Sequence, residues 1–198
     1  MKKNKILGLL LVLISLFINL YDYLIIKTKE EKMVTETNKY ITKTSINNTT
    51  VTDNIKTEDN SKYDYVAILE IPDINIKKGL LSIDNKYNDI AYNIAIMETS
   101  QMPDIKNSNL ILASHNGNSP VSFFKDLEKI NTNSIIYIYY NGYKYTYKIN
   151  NYYIVNKTGK INISRDKTKN TITLITCKNN SDTEQIVYIG YMIDREVY

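Results

Sequence analysis

Cysteine and histidine each occur once in this chain, and arginine only twice, at Arg165 and Arg195. A lone cysteine cannot close an intramolecular disulfide. One Cys with one His also falls short of the four ligands of a structural zinc site. No glycine loop is present that would cradle a phosphate, and no internal repeat recurs. The net charge is +4, with lysines interspersed among carboxylates rather than clustered, so no nucleic-acid partner is expected. Asp84, Asp89 and Glu98 are isolated acids in candidate loops. They call for no metal, and no cofactor is expected.

The two unique residues occupy similar places. Cys177 ends the apolar run Thr171-Ile-Thr-Leu-Ile-Thr-Cys177, and His115 ends Asn109-Leu-Ile-Leu-Ala-Ser-His115. A thiol and an imidazole at the C-terminal edges of two strands are what a cysteine-nucleophile enzyme needs. Spacing alone leaves a second reading open, in which Cys177 is a small buried hydrophobe and His115 a loop residue.

The N-terminus carries Lys2, Lys3 and Lys5 ahead of an uninterrupted apolar run of 13 residues, Ile6 to Ile18. Extended to Ile26 it reaches 21 residues, near the ~20 that cross a bilayer core. Asn19 and Asp22 would lie at headgroup level with Tyr21 and Tyr23. No small-residue cleavage site follows, so residues 1–26 read as an uncleaved signal anchor in preference to a cleaved signal. The lysines before the span set the N-terminus inside and the remainder outside the cell, a single-pass cell-membrane protein in contact with membrane lipid. Residues 27–62 are rich in Thr, Asn, Lys and Glu, too polar to offset the entropy of ordering, and read as an extracellular stalk. Lys27 to Tyr40 is able to continue the helix by a turn or two. Asn48-Thr49-Thr50 fits the glycosylation tripeptide, a weak pattern.

From Tyr63 the composition changes, and residues 63–198 suffice for one domain with a real core. Strands are expected at Tyr65–Ile71, ended by Pro72, then over Ile74–Leu81, Asn109–Ser114, Thr171–Cys177 and Gln185–Ile193. Ser122–Glu128 reads as a helical turn, apolar at Phe123, Phe124 and Leu127. The clearest element is a hairpin from Ile135 to Ile149 about Asn141-Gly142, a pair suited to the positive φ angles of a type I′ turn. That turn pairs Tyr140 with Tyr143, Ile138 with Tyr145 and Ile136 with Tyr147 on one face. Tyr139 then meets Lys144, and Tyr137 meets Thr146, on the other. Many short strands with one or two small helices indicate an all-β barrel or sandwich.

The run Thr173-Leu-Ile-Thr-Cys177 resembles the TLxTC signature of the sortases, Gram-positive cell-surface cysteine transpeptidases. Leu110-Ile-Leu-Ala-Ser-His115-Asn-Gly, with Phe123-Phe-Lys-Asp-Leu after it, resembles that family's strand, histidine and short helix. Tyr65 to Pro72 and Ile74 to Gly79 resemble its opening strands. The resemblance implies an eight-stranded β-barrel over residues 63–198. It also implies Cys177 as nucleophile and His115 as general acid and base. The substrates it implies are surface proteins bearing an LPxTG-like sorting signal, passed through an acyl-thioester to an amine acceptor such as a cell-wall precursor.

One position departs from the family pattern. Sortases carry an arginine at the start of the last strand, where this chain has Gln185. Glutamine keeps an N–H donor but loses the charge and the bidentate fork. An active enzyme adapted to glutamine, a weakened enzyme, and a site with another cation such as Lys178 all remain open. So do a non-catalytic sortase-like peptide-binding module and a hydrolase that releases the acyl group to water. Thr176 and Asn116 are candidates for orienting the site, with plain strand and turn roles as their alternatives. No long appended lid segment is visible, which argues against the pilus-building kind.

Overall fold

The computed structural model describes residues 2–45 and 63–198. Residues 46–62 of the expected stalk, with Asn48-Thr49-Thr50, lie outside the described residues. From Tyr63 on, the chain forms eight strands: β1 (Tyr65–Ile71), β2 (Ile76–Leu81), β3 (Ala95–Ile96), β4 (Asn109–Ala113), β5 (Ile135–Tyr140), β6 (Tyr143–Asn156), β7 (Thr171–Cys177) and β8 (Glu184–Val197). They make one sheet in the order β2-β1-β5-β6-β8-β7-β4-β3. The sheet curls until its edge strands β2 and β3 come together, a nearly closed barrel. Asn93 spans that seam, its buried side-chain amide donating to the Gly79 carbonyl at 3.0 Å. Backbone acceptors at a sheet edge need such partners once water is excluded.

The β5–β6 hairpin forms as expected. Asn141 and Gly142 adopt φ of 50° and 74°, and the pairing runs from Tyr140 opposite Tyr143 to Ile136 opposite Tyr147. Ile136, Ile138, Tyr145 and Tyr147 are fully buried in the barrel, each worth ~1.5–3 kcal/mol of apolar burial. Asparagine also takes the left-handed conformation at residues 75, 107, 133 and 180, where its short polar side chain tolerates what most residues do not.

Three expectations need correction. Ile74 belongs to a 3-10 turn (Pro72–Ile74) closed by left-handed Asn75, so β2 begins only at Ile76. Residues 122–128 form a succession of tight turns and a 3-10 helix at Leu127–Lys129. Their amides bond three residues back, as from Leu127 to Phe124 and from Lys129 to Asp126. Three residues per turn stacks Phe124 over Leu127, and both are fully buried. The last strand is longer than expected, with β8 paired to β6 out to Tyr143 opposite Val197.

The N-terminal segment is one helix, α1 (Lys2–Ser45). Among the described residues no helix is long and apolar enough to cross a membrane. The expected span starts at Ile6, and the side chains of residues 1–10 lie outside those described. Leu13, Leu16, Phe17, Leu20 and Tyr21 are exposed. Further along, α1 rests on the barrel. Met33, Tyr40 and Ile41 pack against Tyr65, Ile68 and Leu81, Thr37 is buried, and the Tyr40 hydroxyl donates to the Val66 carbonyl. Positions 33, 37, 40 and 41 share one helical face.

Tyr65 lies across Gly79 of β2, where an added Cβ would sit 2.3 Å from the ring. Gly79→Ala must push the ring off the α1 contact. We expect it to cost ~1–3 kcal/mol, the usual range for overpacking. A urea midpoint that falls with an unchanged slope would register that loss.

Candidate active site

β4 and β7 lie side by side and run parallel, pairing Asn109 with Thr171 through Ala113 with Ile175. The pairing continues past the end of β4. The Ser114 amide donates to the Ile175 carbonyl at 3.3 Å, and the Thr176 hydroxyl donates to the Ser114 carbonyl at 2.9 Å. The next residue of each strand is His115 and Cys177. Both chains therefore deliver their unique residue at one edge of the sheet.

On the other side of β7, antiparallel β8 sets Gln185 opposite Cys177. Facing partners in such a ladder project to the same side with Cβ atoms ~4.5–5.5 Å apart. That side is identifiable from burial. Ile175 and Val187, two residues from Cys177 and Gln185, belong to a cluster with Ile111 and Ile189 on the outer face of the barrel. Ile161 and Ile163, from the β6–β7 connection, pack over the same cluster. His115, Cys177 and Gln185 are all half-buried, which leaves the thiol reachable beside an aliphatic surface.

The neighbouring segments explain why the histidine stays there. The Phe124 amide donates to the His115 carbonyl at 3.1 Å, hanging the histidine segment from a turn whose Phe124 and Leu127 are core residues. Asn116 reaches across to the cysteine segment. Its side-chain amide donates to the Cys177 carbonyl at 2.9 Å and to Asn179 Oδ1 at 2.7 Å. Thr176 is buried and acts through its hydroxyl as a clasp between β7 and the end of β4.

Both arginines are engaged elsewhere. Arg165 bonds the carbonyls of Asn107 and Lys169 and the Thr171 hydroxyl. Thr171 is the far end of β7, ~20 Å of strand from Cys177. Arg195 lies opposite Tyr145 with its guanidinium 3.7 Å from the Tyr143 ring centre. Lys178 sits next to the cysteine, but its ammonium is 3.7 Å from the Glu184 carboxylate. Asp84, Asp89 and Glu98 are exposed and separate. Among the described residues no three His, Cys, Asp or Glu side chains gather as a metal site.

Sequence reading missed Glu128. This carboxylate, on the Leu127–Lys129 turn, accepts the Asn179 backbone N–H. Burial first, then the charge of Glu128, push the Tyr188 hydroxyl up to about 12. No spacing rule signals a bond between two loops 51 positions apart.

The family model for the sortase domain matches residues 69–192, most of the barrel. The chain belongs to the sortase family. Sortase A of Listeria monocytogenes is 21% identical over 68% of this chain and 90% of its own, with a TM-score of 0.57. A sortase D5 transpeptidase of Clostridium perfringens is 19% identical over 70% and 90%, with a TM-score of 0.54. Sortase C of Streptococcus pneumoniae is 17% identical over 86% and 96%, with a TM-score of 0.58. At these identities the solved sortases establish the fold. No curated protein matches the chain.

Thr176→Val keeps the strand shape and deletes the clasp to Ser114. We expect a loss of ~1 kcal/mol, typical of one internal hydrogen bond whose acceptor stays buried. Amide exchange would show it as faster opening at residues 114–116 than in β5 and β6.

Proposed function

We propose that this sortase is a membrane-anchored cysteine transpeptidase that cleaves an LPxTG-like sorting signal through an acyl-thioester on Cys177. The observation that carries the reading is the double register of β7, parallel to β4 and antiparallel to β8. It brings the only thiol, the segment of the only histidine and Gln185 to one edge. The partly buried Ile161 and Ile163, which cover the aliphatic cluster next to that edge, support a largely apolar extended peptide as substrate.

In the first half-reaction, the Cys177 thiolate attacks the carbonyl carbon of the scissile threonine, forming an S–C bond and an oxyanion. The Gln185 Nε2–H is the donor we assign to that oxyanion. As the C–N bond breaks, the protonated His115 imidazole gives its proton to the departing amine. In the second, an amine acceptor such as a cell-wall precursor attacks the thioester carbon. His115 takes the amine proton, and Cys177 leaves as the thiolate. Acids and bases balance over the two halves, and no cofactor enters.

For anchoring, the support is the apolar run from Ile6 behind Lys2, Lys3 and Lys5, and the exposed apolar side chains of α1 as far as Leu24. The same lysines favour an extracellular barrel. We read residues 1–26 as the anchor and residues 63–198 as the catalytic unit, joined by the polar residues 27–62.

A neutral glutamine is a specific observation in favour of a second reading, a sortase-like module that binds peptide without cleaving it. Intact-mass spectrometry on a sorting-signal peptide separates the two. Wild type should gain an acyl adduct that an added amine discharges, and Cys177→Ala should gain none. Peptide binding with no adduct on wild type would make the chain a binding module, and discharge by water alone would make it a hydrolase.

His115→Ala should abolish turnover, and near-wild-type rates would refute its acid–base role. Gln185→Ala should slow acylation by ~10²–10³, the usual cost of an oxyanion donor. Gln185→Arg should raise the rate if the site is merely weakened. A loss would instead show a site adapted to glutamine.

A further inference from the structure

The carbonyl of the nucleophile itself is held by a hydrogen-bonded chain. Asn116 donates one side-chain N–H to the Cys177 carbonyl and the other to Asn179 Oδ1. Asn179 donates its backbone N–H to Glu128. Three segments are thereby laced together: the residue after His115, the turn carrying Glu128, and the connection from β7 to β8. Sequence separations of 51 to 63 positions show that these are tertiary ties, not turn chemistry.

We propose that Glu128 and Asn116 are positioning residues for the reaction at Cys177. This assignment rests on the transpeptidase reading. The pairing of β7 with β4 ends at Ile175, so at Cys177 only β8 still flanks the strand where the thiol must be placed. Beyond it, residues 178–183 turn back through left-handed Asn180 to reach Gln185. A small rotation in this connection alters the angle between the thiol and the amide opposite it. The lacing removes that freedom.

Glu128 is the firm end of the chain. It sits beside Leu127, which is fully buried, on the turn that also holds the His115 carbonyl through the Phe124 amide. A carboxylate makes the strongest acceptor for the Asn179 amide. Histidine and cysteine segments are thus referred to one rigid anchor. Movement of either is movement of both.

The test measures acyl-enzyme formation on a sorting-signal peptide in the full chain. Glu128→Ala should slow acylation by ~10- to 100-fold, as expected when reacting groups lose their alignment. Peptide KM should change little. Glu128→Gln keeps an acceptor oxygen and should restore most of the rate. Asn116→Ala should resemble Glu128→Ala. The double variant should be no slower than the slower single, since both cut one chain.

Wild-type acylation by Glu128→Ala would overturn the assignment. So would Glu128→Gln as slow as Glu128→Ala, losses that multiply in the double variant, or a rate deficit that vanishes on cooling below a lowered melting midpoint. A wild-type chain that forms no acyl-enzyme would overturn the transpeptidase reading, and this assignment with it.

Discussion

The parallel pairing of β4 with β7 is the contact on which the rest of the site depends, and it is the exception in an otherwise antiparallel sheet. Two parallel neighbours end at the same edge, so residues at their C-terminal ends meet without any special loop. Antiparallel neighbours bring together the end of one strand and the beginning of the next, as Cys177 and Gln185 show. A strand with one neighbour of each kind collects three chain segments at a single rim. The thiol sits on that central strand.

The barrel makes the rim stiff. Its interior is filled with isoleucine, leucine and fully buried tyrosine, and Asn93 ties its seam. On the outside, the β6–β7 connection covers Ile175 and Val187 with Ile161 and Ile163. One sheet is therefore apolar on both faces around β7, which explains why the cysteine strand reads as a nearly unbroken apolar and threonine run. The two arginines brace corners away from this edge.

What was legible in the sequence was local. The Asn141-Gly142 turn and the alternation on either side of it determine the hairpin register without help from the rest of the chain. The strands leading to His115 and Cys177 were visible as short apolar runs, each closed by a residue type that occurs once in the sequence. Glu128 was not, because its bond to Asn179 exists only when two loops are brought together by strands that neither belongs to. β3 is two residues long and carries no pattern of its own. The docking face of α1 left a signal in the spacing of Met33, Thr37, Tyr40 and Ile41, but its threonine and the charges between obscured it. Three-residue turns around Phe124 and Leu127 were masked in the same way, since i and i+3 suit an α-helix as well.

Parallel pairing carries a kinetic consequence. β4 and β7 cannot meet until the intervening chain, which includes β5 and β6, has been looped out of the way. Loop closure of that length is an entropic cost borne before any of its contacts form. The His–Cys edge therefore matures late, after the local hairpin. During synthesis the thiol belongs to an unpaired strand with no imidazole at its side. The two segments become neighbours only with the finished sheet.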